Sequence, residues 1–213
     1  MREGCVVNIR TMSTQLPPDL PGALREADPA VWRGDPEQAV IGTAGPRTDL
    51  FIDPAGSPPS LNAPRVLATV TDGDFQFSAR VSVDFAATFD AGVLLVWVDD
   101  ATWAKFCFEY SPQSEPTVVS VITRGESDDA NFITVDSHTM WLRISRTMPS
   151  FALHASTDGS RWQFVRHLRL GEAADATVRI GLSVQSPTGE GCTATFDEIR
   201  FSPTRLADLR DGS

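Results

Sequence analysis

Residues 103–110 alternate strictly between two kinds of side chain, as in a β-strand whose successive side chains point to opposite faces. One face is apolar or aromatic: Ala104, Phe106, Phe108 and Tyr110. The other carries an indole, a cation, a thiol and a carboxylate: Trp103, Lys105, Cys107 and Glu109. The first face predicts a place in a hydrophobic core. The second indicates either a surface that holds a ligand or a solvated outer face with Lys105 extended into water.

Short strands of this kind fill most of the chain. Residues 75–85 keep apolar side chains on one face and polar ones on the other, which predicts a half-buried antiparallel strand. Residues 92–98 are almost wholly apolar, as expected of a central strand covered on both faces. Further strands are predicted at 32–34, 49–52, 65–70, 117–124, 141–146, 151–156, 162–167, 178–185 and 192–201. With no helical period between them, these strands predict an all-β sandwich or barrel.

The two ends of the chain differ from this strand-rich middle. Residues 1–30 are rich in Pro, Asp and Arg and predict a loosely ordered lead-in without a continuous helix. The sandwich domain is expected over 31–203, followed by a C-terminal tail at 204–213 that could contain one helical turn. An acidic loop is predicted at 125–129, either simply solvated or holding calcium through oxygen ligands.

Charge and composition exclude several classes of partner. The 213 residues carry a net charge of −10, which argues against nucleic acids and anionic membranes because both bind basic patches. No apolar run approaches the roughly 20 residues of a membrane span, and the N-terminus lacks the apolar core of a secretion signal. A cytoplasmic protein is therefore the simplest expectation.

No motif points to a metal or a cofactor. The three cysteines, Cys5, Cys107 and Cys192, are far apart and show no metal-ligand spacing. A glycine-rich phosphate loop, a His/Cys cluster and a nucleophile elbow are also missing from the sequence. We therefore expect neither a cofactor nor a metal site.

A set of short motifs, in order over roughly residues 30–201, carries a family resemblance. They are Thr48, Asp49 and Phe51; Ala63 and Pro64; 73–75; 89–95; Trp103, Lys105 and Glu109; 120–124 with Ser127 and Asp128; Trp141, Arg143 and Arg146; Ser156, Asp158, Gly159, Trp162 and Arg166; 185–187 with Gly189 and Gly191; and Phe196 with Asp197. With them the chain resembles the regulation of enolase protein 1 family (domain of unknown function 1349) of the concanavalin A-like lectin/glucanase superfamily.

The resemblance implies a concanavalin A-like jelly-roll sandwich of two antiparallel sheets with one concave face, a face that often binds carbohydrate in that superfamily. The family has no firmly assigned activity, and a shared fold is weak evidence for function. Two positions depart from the family pattern. Cys107 stands where relatives usually have Gly, and Phe51 where they have Trp or a similar ring.

Three residues are candidates for catalysis. Glu109 could act as an acid or base, and paired with Asp90 or Asp128 it could form the two carboxylates of a glycosidase. Asp90 could instead cap the turn that precedes residues 91–92. His154 is the natural general base, although a lone His is more often an ordinary polar residue.

The candidate ligand-binding residues are Asp49, Trp103, Lys105, Thr123, Arg124, Asp128, Trp141 and Arg143. The two indoles could stack on a sugar ring, and the carboxylates could bind its hydroxyls. Arg143 could bind a carboxylate on a ligand or pair with a buried one of the protein. Asp49 could equally anchor a turn.

We therefore expect a protein that binds a carbohydrate or another small molecule on the concave face and that could act on glycans. One alternative is a cofactor-independent enzyme of the isomerase or cyclase type, with Lys105 and Arg143 on an oxyanion and Glu109 or His154 moving a proton. Another is a regulatory domain that binds a protein partner, for which an exposed apolar patch would be the signature. The sequence leaves open whether the protein is an enzyme.

Overall fold

Two antiparallel β-sheets pack face to face in the computed structural model, which describes residues 20–213 without Pro36, Asp72 and Ala176. The first 19 residues of the predicted lead-in lie outside this described part. In spatial order, the seven-stranded sheet consists of β1 (Trp32–Asp35), β2 (Ala39–Ala44), β15 (Cys192–Ser202), β6 (Phe75–Asp84), β11 (Thr139–Thr147), β12 (Ser150–Ser156) and β13 (Gln163–Leu168). The six-stranded sheet consists of β10 (Ser127–Thr134), β9 (Pro116–Arg124), β8 (Thr102–Tyr110), β7 (Ala91–Asp99), β14 (Thr177–Gln185) and β5 (Arg65–Thr71). The all-β sandwich expected from the sequence is confirmed.

The main core fills the space between the two sheets. Alternate residues of β6 point into it, beginning with Phe75 and Phe77, and the opposite sheet contributes Ala104, Phe106 and Phe108 of β8. These are the apolar faces predicted from the alternation. Their burial removes large aromatic surfaces from water and supplies most of the drive for the sheets to pack.

A second apolar cluster lies on the outer face of the six-stranded sheet. A short ribbon of β3 (Leu50–Phe51) and β4 (Ser60–Leu61) covers this face and buries Trp97 and Trp103 together with Leu50. Strand β7 is consequently buried along both faces from residue 91 to residue 97, as its apolar sequence predicts. The ribbon leaves part of the outer face beyond these indoles uncovered, and the candidate site lies there.

The acidic segment predicted as a loop is instead an edge strand. β9 turns back at Gly125, whose φ of +82° favours glycine, and β10 pairs with it from Ser127 onward. Seven of the eight residues of β10 are exposed, so its charged side chains remain in water while its backbone pairs with β9. Charged side chains are common on edge strands, where they prevent pairing with other chains.

The ends of the described chain also differ from expectation. A seven-residue helix, α1 (Leu20–Glu26), packs Leu20 against the main core. Pro21 fits because the backbone N–H groups of a first helical turn have no partner within the helix. Residues 203–213 form turns and irregular structure rather than a helix. A single 3₁₀ turn lies elsewhere in the chain, at Glu172–Ala174. None of the helices in the described residues is long and apolar enough to cross a membrane.

Candidate functional site

The site is built around Lys105, which β8 places on the outer face of the six-stranded sheet. Its side chain is almost completely buried, with the residue only 2% exposed. The ammonium donates to Asp49 Oδ1 at 3.0 Å and to Gln185 Oε1 at 2.9 Å. Asp49 comes from the segment leading into the ribbon and Gln185 from the end of β14, so one cation joins three distant parts of the chain.

Burial and charge act on the Lys105 ammonium in opposite directions. Burial by itself lowers the pKa, but the negative charges around it, chiefly Asp49, together hold the pKa above its ordinary value. A buried ammonium is tolerated only where it is paired and hydrogen-bonded, and both conditions hold here. Lys105 is therefore charged at neutral pH and is held in one position.

Glu109 lies on the same face of β8 as Lys105, four residues further along the strand, with Cys107 between them. Burial raises the pKa of its carboxyl group to about 7, with Lys105 opposing the rise and Asp49 and Asp129 adding to it. Among the described residues, its carboxyl group accepts a single, long hydrogen bond, 3.5 Å from Gln185 Nε2 to Oε2. Glu109 therefore changes between acid and base near neutral pH, which is the property that general acid–base chemistry needs.

These residues line a pocket of about 170 Å³. Val119 and Val121 of β9 form an apolar side, Phe51 of the ribbon and Phe89 provide aromatic walls, and Asp129 of β10 adds an exposed carboxylate. The remaining lining residues are Asp49, Lys105, Glu109 and Gln185. The pocket combines apolar walls with a few convergent polar groups, the usual composition of a small-molecule site.

The loop that carries Phe89 is held in an unusual conformation. Phe89 has φ of +71°, a region that bulky residues rarely adopt, and it is 37% exposed. Its amide donates to the carbonyl of Tyr110, and its carbonyl accepts from Gln185 Nε2 at 3.2 Å. Non-glycine residues in this region cluster at functional sites when their surroundings enforce the geometry.

Asp90 supports this loop and does not line the pocket. It is fully buried and accepts hydrogen bonds from the amides of Ala86 and Ala87 and from Ser186 Oγ at 2.6 Å. Of the two roles left open for Asp90, the structure shows the turn-capping one. The glycosidase pair of Glu109 and Asp90 is not assembled, because the Asp90 carboxylate is occupied by the loop.

Trp103 does not offer a stacking platform. Its indole is 0% exposed and stacks on Trp97 at 6.1 Å between ring centroids under the ribbon. The expectation of an aromatic surface for a sugar at this position is therefore corrected. The reason is a segment distant in sequence, which covers a strand face that looked open. Phe51 and Phe89 are the aromatic residues at the pocket.

Thr123, Arg124 and Asp128 also have structural contacts outside the pocket. Thr123 is fully buried and hydrogen-bonds Ser127 Oγ at 2.8 Å. Asp128 Oδ2 accepts from Arg166 Nη2 at 2.8 Å, a contact that joins the edge strands β10 and β13 of the two sheets. Arg124 similarly donates to a backbone carbonyl just beyond β13, at 3.4 Å. These residues close one edge of the sandwich.

Trp141, Arg143 and His154 lie on the other sheet, on its outer face, and the expectation that they share a site with β8 is wrong. The C-terminal tail covers Arg143 and His154. Arg143 Nη2 donates to the carbonyl of Gly212 at 2.6 Å, and His154 Nε2 lies 2.9 Å from the carbonyl oxygen of Leu209. Burial lowers the pKa of His154 to about 4 and that of Arg143 to about 10. Strands β8 and β11 have similar sequence patterns, each with polar residues on its outer face. Only the order of the strands shows that they belong to different sheets.

Arg143 forms no ion pair with a carboxylate of the described residues, so the structural pairing expected for it is not seen. Besides Gly212, it contacts Gln76 Oε1 at 3.3 Å and lies over the ring of Trp162 at 4.3 Å. Trp141 interacts with Arg80 and Glu198, also away from the pocket.

Three residues at the pocket are absent from the sequence-based candidates: Gln185, Asp129 and Phe89. Gln185 belongs to a family motif but stands next to turn residues. Asp129 lies in the segment predicted as a loop, where its alternation with Ser127 is the only sign of a strand face. Phe89 stands in a turn, where no periodicity identifies it.

The described residues contain no group of three or more His, Cys, Asp or Glu side chains placed to hold a metal ion. Cys107 is fully buried and burial raises the pKa of its thiol, so it is not available as a thiolate nucleophile.

Comparison with known proteins identifies the family. A family model described as "Protein of unknown function (DUF1349)" matches residues 26–204. The chain belongs to the DUF1349 family. No curated protein matches this DUF1349 sequence.

Solved structures similar to this DUF1349 protein share its sandwich fold. A functionally unknown protein from Saccharomyces cerevisiae is 20% identical with a TM-score of 0.75, over 84% of this chain and 95% of that one. A xylan beta-1,4-xylosidase from Bacillus halodurans is 14% identical with a TM-score of 0.68, over 83% of this chain and 35% of that one. The carbohydrate-binding module CBM66 from Bacillus subtilis is 13% identical with a TM-score of 0.52, over 81% and 91%. At these identities the likeness shows the fold alone, and this chain corresponds to about a third of the xylosidase.

Proposed function

We propose that this DUF1349 protein binds a small saccharide-type ligand in the pocket over β8 and β9. The observation that carries the proposal is the polar network of Lys105, Asp49 and Gln185, which lies next to Glu109 and two aromatic side chains in a pocket open to solvent. Sugar rings present hydroxyl groups at their edges and C–H surfaces on their faces. Carboxylates and aromatic rings bind these two surfaces respectively.

The size of the pocket favours one sugar ring over an oligosaccharide. Its volume of about 170 Å³ is below the roughly 300–1,000 Å³ of pockets that hold drug-sized molecules. The similar structures that are carbohydrate-binding or carbohydrate-active by name support a saccharide as the first ligand class to test.

Titration with a panel of neutral, acidic and amino monosaccharides, followed by NMR shifts of the protein and by calorimetry, tests the proposal. We expect binding that shifts resonances of residues lining the pocket and weakens about tenfold in Glu109→Gln, because a hydrogen bond to a charged group is lost. Phe89→Ala should weaken binding as well. Glu37→Gln changes the same kind of side chain in the exposed β1–β2 turn of the other sheet and should bind like the parent. Binding by none of these sugars, or equal binding by Glu109→Gln, would refute the proposal.

A second candidate function is proton transfer on a bound carbonyl compound, and the titration of Glu109 near neutral pH favours it. In that reaction the Glu109 carboxylate takes a proton from the carbon next to the carbonyl. The electron pair of the C–H bond moves to the carbonyl oxygen, where the Lys105 ammonium stabilises the negative charge. Return of the proton to the other face of the same carbon completes an epimerisation, and return to the former carbonyl carbon completes an isomerisation once the proton of the neighbouring hydroxyl group has passed to the first oxygen.

Exchange of substrate hydrogen for deuterium measures this activity directly. Aldoses and ketoses are incubated with the protein in D₂O, and the loss of the C–H signal next to the carbonyl is followed by NMR. Exchange that is abolished in Glu109→Gln and kept in Glu37→Gln supports proton transfer. Binding without exchange restricts the protein to the binding function.

A further inference from the structure

The polar groups at the pocket are almost all hydrogen-bond acceptors. Asp49, Glu109 and Asp129 contribute three carboxylates, and no Arg, Ser, Thr or Asn is among the lining residues. The amide of Gln185 is already used, with Nε2 donating to Phe89 O and Glu109 Oε2 and Oε1 accepting from Lys105. A ligand in this pocket must therefore supply most of the hydrogen-bond donors.

Most of the hydrogen-bonding capacity of Lys105, the cation among the lining residues, is used within the protein. Two of the three N–H donors of Lys105 point to Asp49 and Gln185, and the residue is 2% exposed. Its charge offsets that of Asp49, the ion-pair partner at 3.0 Å. Neither Glu109 nor Asp129 forms an ion pair within the described residues. Lys105 acts on the Glu109 carboxylate only through its charge at longer range, and the hydrogen bond to that carboxylate from Gln185 Nε2 is 3.5 Å long.

The walls of the pocket also suit a cation. Phe51 and Phe89 line it, and an aromatic face attracts a positive charge that lies within about 6 Å of the ring. The whole chain carries a net charge of −10, which raises the local concentration of small cations at its surface. An anionic sugar would be repelled both by these carboxylates and by the net negative charge of the protein.

We infer that the ligand selected by this pocket carries a protonated amine, so that the saccharide of the proposed function is an amino sugar whose ammonium group lies between Glu109 and Asp129. This inference rests on the proposed function. It adds the charge of the ligand, which the proposed function leaves open.

Binding of a cation should be coupled to the proton on Glu109. Burial raises the pKa of this carboxyl group to about 7, so it is about half protonated at pH 7 in the free protein. The charged and titratable groups around it are Lys105 and Cys107 on its own strand, Asp49 from the ribbon segment and Asp129 from β10. A bound ammonium favours the ionised carboxylate, and about half a proton is released per ligand at pH 7.

The experiment compares matched ligands by calorimetry with the full chain at pH 7. Glucosamine carries the ammonium group, glucose has a hydroxyl in its place, and N-acetylglucosamine keeps the nitrogen without the charge. Cyclohexylamine carries the charge on a ring without hydroxyls. Each is titrated into the parent protein, Glu109→Gln and the remote control Glu37→Gln, with circular dichroism to verify folding. Titrations in two buffers of different ionisation enthalpy give the number of protons released.

Supporting results are glucosamine bound about tenfold or more tightly than both neutral sugars, and a preference that largely disappears in Glu109→Gln but not in Glu37→Gln. A proton release by the parent that exceeds that of Glu109→Gln by up to about half a proton assigns the effect to this carboxyl group, because the ionisation of the ligand amine is common to both titrations. Neutral sugars bound as tightly as glucosamine would overturn the amine inference and leave the proposed function standing. Cyclohexylamine bound without any sugar would support the ammonium site and overturn the saccharide assignment. Binding of none of the four would overturn both.

Discussion

Replacing Glu109 with glutamine should change how the stability of the protein depends on pH. The folded chain holds the proton of Glu109 up to a pKa of about 7, whereas the ordinary value for a Glu carboxyl group is 4.5. Between these values unfolding releases a proton, so the free energy of unfolding falls as the pH rises through this window. Glutamine keeps the size and hydrogen-bonding capacity of the protonated carboxyl group and cannot ionise. The variant should lack this contribution.

The magnitude follows from the two pKa values. A shift from 4.5 to about 7, at 1.36 kcal/mol per pKa unit, gives an upper limit of roughly 3 kcal/mol. About 2 kcal/mol of that change falls between pH 5 and pH 7.5, and the rest lies outside this range. Because Glu109 is partly exposed, water relaxation will reduce the observed value further, and we expect a change of about 1–2 kcal/mol.

Urea denaturation at pH 5, 6, 7 and 7.5 measures the free energy of unfolding of the parent, Glu109→Gln and Glu37→Gln. The difference between the parent and Glu109→Gln removes the contribution of every other titrating group, His154 included. We expect Glu109→Gln to gain stability relative to the parent as the pH rises, while Glu37→Gln follows the parent. Parallel curves for the parent and Glu109→Gln would show that the carboxyl group has an ordinary pKa, and the reasoning from its burial would be refuted.

Three further changes test other parts of the structure. Lys105→Met should lower the free energy of unfolding by about 3–5 kcal/mol in urea denaturation, since it leaves Asp49 without its buried partner. Gly212→Ala should destabilise the C-terminal tail by roughly 1–3 kcal/mol and accelerate its cleavage by trypsin, because a Cβ would lie 2.6 Å from Arg143 Nη2 and φ is +78°. His154 should remain neutral until the pH falls to about 4 in an NMR titration, so its contribution to stability is lost as the pH falls from its ordinary 6.5 towards 4.

Each of these has a matched comparison. Adding Asp49→Leu to Lys105→Met should restore part of the stability, because it removes the unpaired carboxylate, and no restoration would contradict the ion-pair argument. Gly171→Ala has φ of +92° but no atom within 4 Å of the new Cβ, so it reports strain without the tail clash. Equal proteolysis of both glycine variants would show that the tail does not rest on Arg143. A His154 pKa near 6.5 would mean that the tail leaves the ring accessible.

The sandwich could be predicted because its strands carry local signals. Alternation in β6 and β8 and the continuous apolar run of β7 each follow from burial on one face or both. Strand β10 gives no alternating signal because seven of its eight residues are exposed, unlike those of the other edge strand of this sheet, β5, and its Asp residues resemble those of a loop. Helix α1 could not be predicted because the prolines before and within it argue against a helix, and its seven residues are too few to show a helical period.

The candidate site could be predicted only in part. Lys105 and Glu109 were found because they occupy one face of a clear strand, and Asp49 because it precedes a short one. The residues that these three side chains contact depend on the order of the strands and on the position of the ribbon. Neither of these produces a recognisable pattern in the local sequence. For the same reason Trp103 was expected at the surface, although its own strand gives no sign of the ribbon above it.

The position of Lys105 joins two events that could otherwise be independent. Its ammonium holds Asp49 at the base of the ribbon and stands beside the pocket, so an occupant that draws on Asp49 or Lys105 also alters how firmly the ribbon is attached. Such linkage is reciprocal: whatever tightens the ribbon must favour the occupant by the same free energy. Amide hydrogen exchange in residues 49–63 would then report whether the pocket is filled. Of these residues, only Asp49 and Phe51 line the pocket.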